Sequence, residues 1–469
     1  MAEPNEGVVM NTGALSYRVR PLSAAISCFL FSFGVSLGDS QHSVGLTVVL
    51  AGSAAVLIYC YESLVALQVV RTVIEMIPGY GALLLREPDV MYIKCSVVAF
   101  VVLAALELIF VRKDVRFVTA TTLWFYVFIG FLLIRTLSGV NDFSLNGSDK
   151  YWLLNAFQLV NRPLLLFILA YILPHIHRRY ERFFLFLLIG AVVAGIGLYF
   201  LNHDVIRMKS VSALLVSDDE QKITPIAIGR LMGAGALVAL VYLLRSDKKW
   251  LRLCLALLSG FLAAIMVMAN ERGPVLSFIL AMLLALWLYR TNISRKISLW
   301  FLILATLMLG MIGYTTVNPD ANRLSATFAG GVGAESRLEI YSTALDVFAS
   351  NCLLGAGYGG FGAATKDFNY GYPHNIFLEV MTESGTVGLI IFLVFMRYLK
   401  SSITNVLNTD VFNDAAVILL VFYLLNAQVS GSLCGNSEFF LFAGLIAGTD
   451  AVRRRVSQTG KDFGEQLQS

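Results

Sequence analysis

Between Asn375 and Tyr398 the chain reads Asn-Ile-Phe-Leu-Glu-Val-Met-Thr-Glu-Ser-Gly-Thr-Val-Gly-Leu-Ile-Ile-Phe-Leu-Val-Phe-Met-Arg-Tyr, preceded at 372–374 by Tyr-Pro-His. A run of this length and apolarity is a helix able to cross a hydrocarbon core about 30 Å thick. Asn375 suits its N-cap, and Glu379 and Glu383, four apart, share one side of it. Runs of the same kind recur near 22–38, 43–62, 64–86, 90–111, 116–138, 152–173, 181–201, 225–245, 250–269, 274–290, 297–317, 411–430 and 436–451. The run at 64–86 carries Arg71, Glu75 and Pro78 and reads as re-entrant or interfacial. None shows the strict alternation of barrel strands. Hydrophobic residues make up 57% of the chain and charged residues 14%, against about 25% charged in a soluble domain; mean hydropathy is +0.74. The fold class is therefore an all-α polytopic membrane protein of about 12 to 14 spans, its partner the lipid bilayer and not nucleic acid.

Basic residues in short loops set the orientation. Arg112-Lys113 with Arg116, the stretch His175 to Arg182, Arg245 to Arg252, Arg290 to Lys296, Arg397 to Lys400 and Arg453-Arg454-Arg455 all fall on one side, which is the cytoplasmic one. Met1–Arg20 is polar, with no small-residue cleavage site after the first run, so both termini are expected in the cytoplasm. The expected organisation is one transmembrane helical domain over 1–451, a large outer loop at 318–374, and a polar cytoplasmic tail at 452–469.

The outer loop carries Glu-Ser-Arg-Leu-Glu-Ile-Tyr at 335–341. Ser336 and Glu339 have capping-box spacing, which predicts a helix from Arg337 with Leu338, Tyr341, Leu345 and Phe348 on its apolar face. Taken alone, this is equally a surface helix with one solvated arginine. Its company changes the reading: Arg272, Arg337 and His374 come from three loops and all lie on the outer side. Arg230 sits just over one turn inside, and Arg162 about ten residues into its span. Charges at that depth face a partner or a cavity; for Arg162 and Arg135 a structural ion pair or snorkelling is the competing account.

Guanidinium forks match phosphate oxygens. The outer face of a cell envelope offers no nucleoside triphosphates, so a lipid-linked pyrophosphate is the natural anion. The positive end of the helix after Asn375, together with nearby arginines, disfavours imidazolium and keeps His374 able to accept a proton. A backbone-bonded interfacial histidine is the alternative. Asp218-Asp219-Glu220 reads as a solvated acidic loop before a metal site, and His175-x-His177 as part of a basic loop. Glycines at 355, 357, 359, 360 and 362 follow no strand of a βαβ unit, which argues against a nucleotide-binding loop, and read as a tight turn that brings backbone close to a ligand. Cys28, Cys60, Cys95 and Cys254 lie in apolar runs as inert core residues, while Cys352 and Cys434 fall on the same side and are able to pair if oxidised.

Arg337 through Leu389 resembles the signature region of the O-antigen ligase and O-antigen polymerase superfamily. The matching positions are Arg337 with Tyr341, Gly355-Ala356-Gly357, His374-Asn375, and Glu383 with Gly385 and Gly388; Arg272-Gly273 matches the family's Arg-Gly pair, with Glu271 where a small hydroxyl residue is usual. The resemblance implies a metal-independent, inverting glycosyltransferase of the bacterial inner membrane that needs no cofactor. It would move a glycan from undecaprenyl pyrophosphate to a sugar hydroxyl on the periplasmic face. It implies catalytic roles for His374, Arg337 and Arg272; beside them, Arg230, Arg162, Arg135, Tyr341, Tyr372, Asn375 and Glu383 are expected to bind substrate. The acceptor is another lipid-linked repeat unit in a polymerase, which a chain-length regulator protein would accompany, or the lipid A core in a ligase. The span count and the segment Pro225-Ile-Ala-Ile-Gly-Arg230 lean toward polymerase. A flippase or transporter of lipid-linked sugars is the rival of another class, but no internal repeat points to one.

Overall fold

The computed structural model describes residues 118–139, 149–176, 181–200, 225–269, 271–288, 335–365 and 371–466, all inside the compact unit that contains Asp114–Ser469. The runs expected before residue 116 and at 297–317, the acidic triplet Asp218-Asp219-Glu220, His177, and Cys28, Cys60 and Cys95 lie outside them. In chain order the helices are α1 Ala120–Ser138, α2 Asp149–Leu159, α3 Leu165–Ile176, α4 Glu181–Phe200, α5 Pro225–Arg245, α6 Lys249–Met268, α7 Arg272–Leu288, α8 Glu335–Ser350, α9 Gly360–Ala364, α10 Ile376–Val406, α11 Val411–Ala427 and α12 Ser437–Gln466. A π-turn, Val160–Leu164, joins α2 to α3, and a 3-10 turn, Cys434–Asn436, precedes α12. No strand occurs among the described residues. Five helices there are long and apolar enough to span a membrane: Ala120–Ser138, Tyr151–His175, Ile228–Arg245, Lys249–Met268 and Ile376–Val406. The protein is an all-α polytopic membrane protein, and α12 carries its helix on through the polar tail to Gln466.

Lipid supplies no hydrophobic drive between helices, so packing rests on close van der Waals fit and internal hydrogen bonds. Gly444 and Gly448, spaced as small-xxx-small, let α12 lie directly on the backbone of α3 at Phe167 and Tyr171. Phe125 stacks on Phe167 at 3.8 Å between centroids, and Phe395 and Phe440 close around it at 5.5 and 5.7 Å. One end of the bundle is tied by polar groups: Thr121 to Ser402 (3.0 Å), Ser402 to Asp450 (2.9 Å), and Arg245 to Asp414 (3.0 Å). Arg397, Lys400 and Arg453–Arg455 gather at this end, as the loop charges predict. Pro163 lacks the N–H a regular helix needs, and the π-turn at 160–164 absorbs that loss.

Three local expectations are corrected. Helix α8 already includes Glu335 and Ser336, so its start lies upstream of the expected capping box. Its buried stripe is Ile340, Ala344 and Val347, while Leu338 and Leu345 are 69% and 52% exposed. Ala344 allows the close approach to Trp152 and Phe361 that a leucine would block. The expectation for Cys254 also fails, since it is on the surface of α6 and not in the core, while Cys352 is exposed and Cys434 buried, both free.

Candidate functional site

At the other end, α10 is broken. Gly385 has φ 64° and ψ −167° inside what is otherwise one helix from Ile376 to Val406. Only glycine adopts that conformation at little cost. The break frees backbone groups in mid-helix, and the Gly-rich turn satisfies them. Ala356 N–H donates to Thr382 O (3.0 Å), Gly357 N–H to Glu383 O (2.8 Å), Thr386 N–H to Cys352 O (2.8 Å) and Val387 N–H to Leu353 O (3.1 Å). Non-helical backbone at membrane depth is tolerated only when buried in protein in this way. A Cβ on Gly385 would collide with Leu353 O and Gly355 N, and one on Gly355 with the Glu383 backbone. The glycines at both sites exist for that contact.

Two buried carboxylates then tie this break to its neighbours. Glu383 Oε1 accepts from Gly359 N–H at 2.8 Å, and Glu379 Oε1 accepts from Leu433 N–H at 2.8 Å. Glu379 therefore orients the connection from α11 to α12. Tyr358 reaches the same connection through Ser432, O to O 3.4 Å. Arg135 donates from Nε to Gly355 O at 2.7 Å, pinning the turn from α1. Tyr151 O–H donates to Gly359 O at 2.7 Å.

The 428–436 connection is where the expected site residues meet. Helix α11 ends at Ala427 with carbonyls that have no intrahelical partner. Side chains from three separate segments take up those that follow. Asn375 Nδ2 donates to Gln428 O (3.3 Å), Arg337 Nη2 to Val429 O (3.1 Å), and Arg230 to Ser430 O and Gly435 O (2.8 and 3.1 Å). Gly273, next to Arg272, packs so closely on Val429 that a Cβ there would lie 2.9 Å from its Cγ2. Arg337, Asn375 and Gly273 thus converge on Gln428–Val429, which brings the segments of Arg272 and His374 to the same connection.

Within this group the residues divide. Arg337 and Arg272 are exposed, and His374 is partly buried against Tyr372, the ring centroids 4.4 Å apart. His374 holds a left-handed φ of 58°, unusual for a non-glycine residue and common where a side chain is held for function. Burial, and secondarily the Arg337 charge, push its pKa below the usual imidazole value, so it is neutral at pH 7. Burial raises the Tyr372 phenol, which stays protonated beside it. Arg230 by contrast is 4% exposed and Glu383 2% exposed. Both are committed to backbone groups. Asn375 caps α10 as expected, its Oδ1 accepting from Phe377 and Leu378 N–H at 3.0 and 3.1 Å. Tyr341 packs on the Trp152 cluster. Arg162 is exposed on the π-turn, close enough to Cys434 and Glu438 to act on their charge states. Sequence reasoning missed Tyr358, Glu438 and the whole 428–436 backbone. Glu438 alone left a signal, a carboxylate at the start of an apolar run.

No group of three or more His, Cys, Asp or Glu side chains is arranged to hold a metal ion among the described residues. A polytopic helical membrane protein with arginines and a neutral histidine converging at one end is the class that fold and site define. Residues 257–393 match the family described as O-Antigen ligase. The matched segment runs from α6 into the second half of α10 and holds Arg272, Arg337, His374 and Glu383, the residues that carry the sequence resemblance. It supports a membrane glycan-transfer enzyme acting in the assembly of O-antigen or a related polysaccharide. No curated protein matches the chain.

Proposed function

We propose that the protein polymerises lipid-linked polysaccharide repeat units at the periplasmic face of a bacterial inner membrane, using undecaprenyl pyrophosphate as the glycan carrier. The observation that carries this reading is the meeting of Arg337, Gly273 and Asn375 on Gln428–Val429, with His374 beside Arg337. Arg337 spends one Nη on a carbonyl and presents the rest of an exposed guanidinium to solvent. With Arg272 it would grip the pyrophosphate and offset the charge that develops as the leaving group departs. Neutral His374 accepts the proton of the acceptor hydroxyl as that oxygen bonds to the anomeric carbon. The anomeric carbon–oxygen bond to pyrophosphate breaks, and the carrier leaves as the lipid diphosphate. Attack from the face opposite the leaving group inverts the anomeric centre, and no metal is needed when guanidinium groups carry the diphosphate charge.

Arg230, Arg135, Glu383, Asn375 and Tyr341 serve this site by holding its loops. Tyr372 lines it, and Arg162 lies at its margin. A second reading, transfer to a lipid A core, is favoured by the description of the matched family. Purified protein given lipid-linked repeat units, with and without core acceptor, separates the two. A product ladder without core supports polymerisation; product only with core supports ligation; unchanged substrate overturns both and leaves transport.

A further inference from the structure

Helix α8 is not one of the membrane-spanning helices, yet one of its sides is apolar and open. Ile340, Ala344 and Val347 take the side that packs on the Trp152 cluster, and Glu339 and Asp346 share another. Leu338 and Leu345 lie on a third side, which stays exposed. The chain continues the row. Leu353 and Leu354 are 66% and 53% exposed, and Leu353 O accepts from Val387 N–H at 3.1 Å, which sets them against α10 just past its break. There Val387 and Ile390, three apart on one side of the helix, are 39% and 56% exposed. Val387 is well inside the span Ile376–Val406. The row thus begins at the residue after Arg337 and ends at membrane depth.

A helix facing water gains nothing by exposing leucines, and an apolar row of this kind marks a binding surface. Its occupant follows from what stands at its head. Arg337 adjoins Leu338, is exposed, and spends one Nη on Val429 O. In a polyprenyl diphosphate the first isoprene unit is bonded directly to phosphate. A diphosphate gripped at Arg337 therefore sets its chain down beside Leu338. A phospholipid would place a glycerol and two ester groups on the same leucines, polar atoms that an apolar row does not reward.

We propose that this row seats the polyprenyl chain of the lipid carrier, a subsite that rests on the reading of Arg337 as the grip for the diphosphate. A polyprenyl diphosphate with a diazirine in its chain, photolysed with the full-length protein in phosphatidylethanolamine nanodiscs, tests it. Label should fall on peptides covering Leu338–Leu354 and Val387–Ile390. The double variant Leu338→Gln, Leu345→Gln should take about tenfold less label, the ratio for the burial of one leucine. Leu257→Gln, which alters an exposed leucine of α6, should label as the wild type does. Both variants should elute as the wild type on size exclusion, since these side chains are exposed. Label confined to other helices, label unchanged in the double variant, or equal displacement by excess phosphatidylglycerol would overturn the proposal, the last by showing ordinary bilayer contact. Adding a glycan-bearing donor to the same preparation separates the two readings. Label on the row without glycan transfer removes the enzymatic reading and keeps the subsite, whereas transfer with the label elsewhere removes the subsite alone.

Discussion

At the residue scale the proposed chemistry turns on the imidazole of His374. Its lowered pKa means that the neutral form predominates above about 6.5, the ordinary histidine value, and is lost as pH falls through the lower folded value. The acid limb of kcat/KM for glycan transfer is therefore expected below 6.5. Arg337→Gln removes the secondary cause of the shift, so that limb should move up toward 6.5 while burial still holds it down. His374→Ala should cost about 10² to 10⁴ in rate, with inserted, folded protein unchanged by gel filtration; near wild-type turnover would remove the proton-acceptor role. Lysine at Arg337 or Arg272 keeps the charge but loses the fork, and should raise the KM for lipid-linked donor about tenfold or more.

At the element scale the broken helix α10 matters most. Gly385→Ala forces a side chain into the left-handed region and against Leu353 and Gly355, at a cost of about 1 to 3 kcal/mol for the backbone alone. Thermal unfolding in detergent should show a lower Tm for Gly385→Ala and a smaller change for Gly130→Ala, where there is open space. Arg230 is tested the same way. Arg230→Leu removes the donor to the Gly435 carbonyl and leaves the Ser430 carbonyl with Asn436 Nδ2 alone, and should destabilise by about 1 to 3 kcal/mol. A variant with reduced donor binding and unchanged Tm would instead return Arg230 to the substrate.

At the scale of the whole molecule, basic charge and the proposed chemistry lie at opposite ends of the described helices. Arg397, Lys400 and Arg453–Arg455 mark one, and His374, Arg337 and Arg272 the other. Exposed Cys352 belongs to the His374 end, tied to Thr386 through its carbonyl. In intact cells a membrane-impermeant maleimide should label Cys352 and spare buried Cys434; labelling of Cys352 only after lysis would reverse the orientation and with it the substrate reading. Glycan transfer is also expected to survive EDTA, and its loss would bring the acidic triplet at 218–220 back as a metal site.

Much of this was legible in the chain itself because it depends on local order. Length and apolarity of single segments specify a helical membrane protein, and Asn375 announces its cap with two residues of context. The resemblance around Arg337 and His374 is likewise a matter of near neighbours in sequence. What only the tertiary structure decided depends on who meets whom across hundreds of positions. Arg230 and Glu383 read as ligand-binding charges, yet each is taken up by backbone groups of another segment, Ser430 and Gly435 for one and Gly359 for the other. Leu338 and Leu345 read as core, yet face outward, because at a membrane boundary lipid accepts leucine as readily as protein does and only shape chooses the buried face. The chain named the polar groups; the fold determined which were used to hold it together and which were left for a substrate.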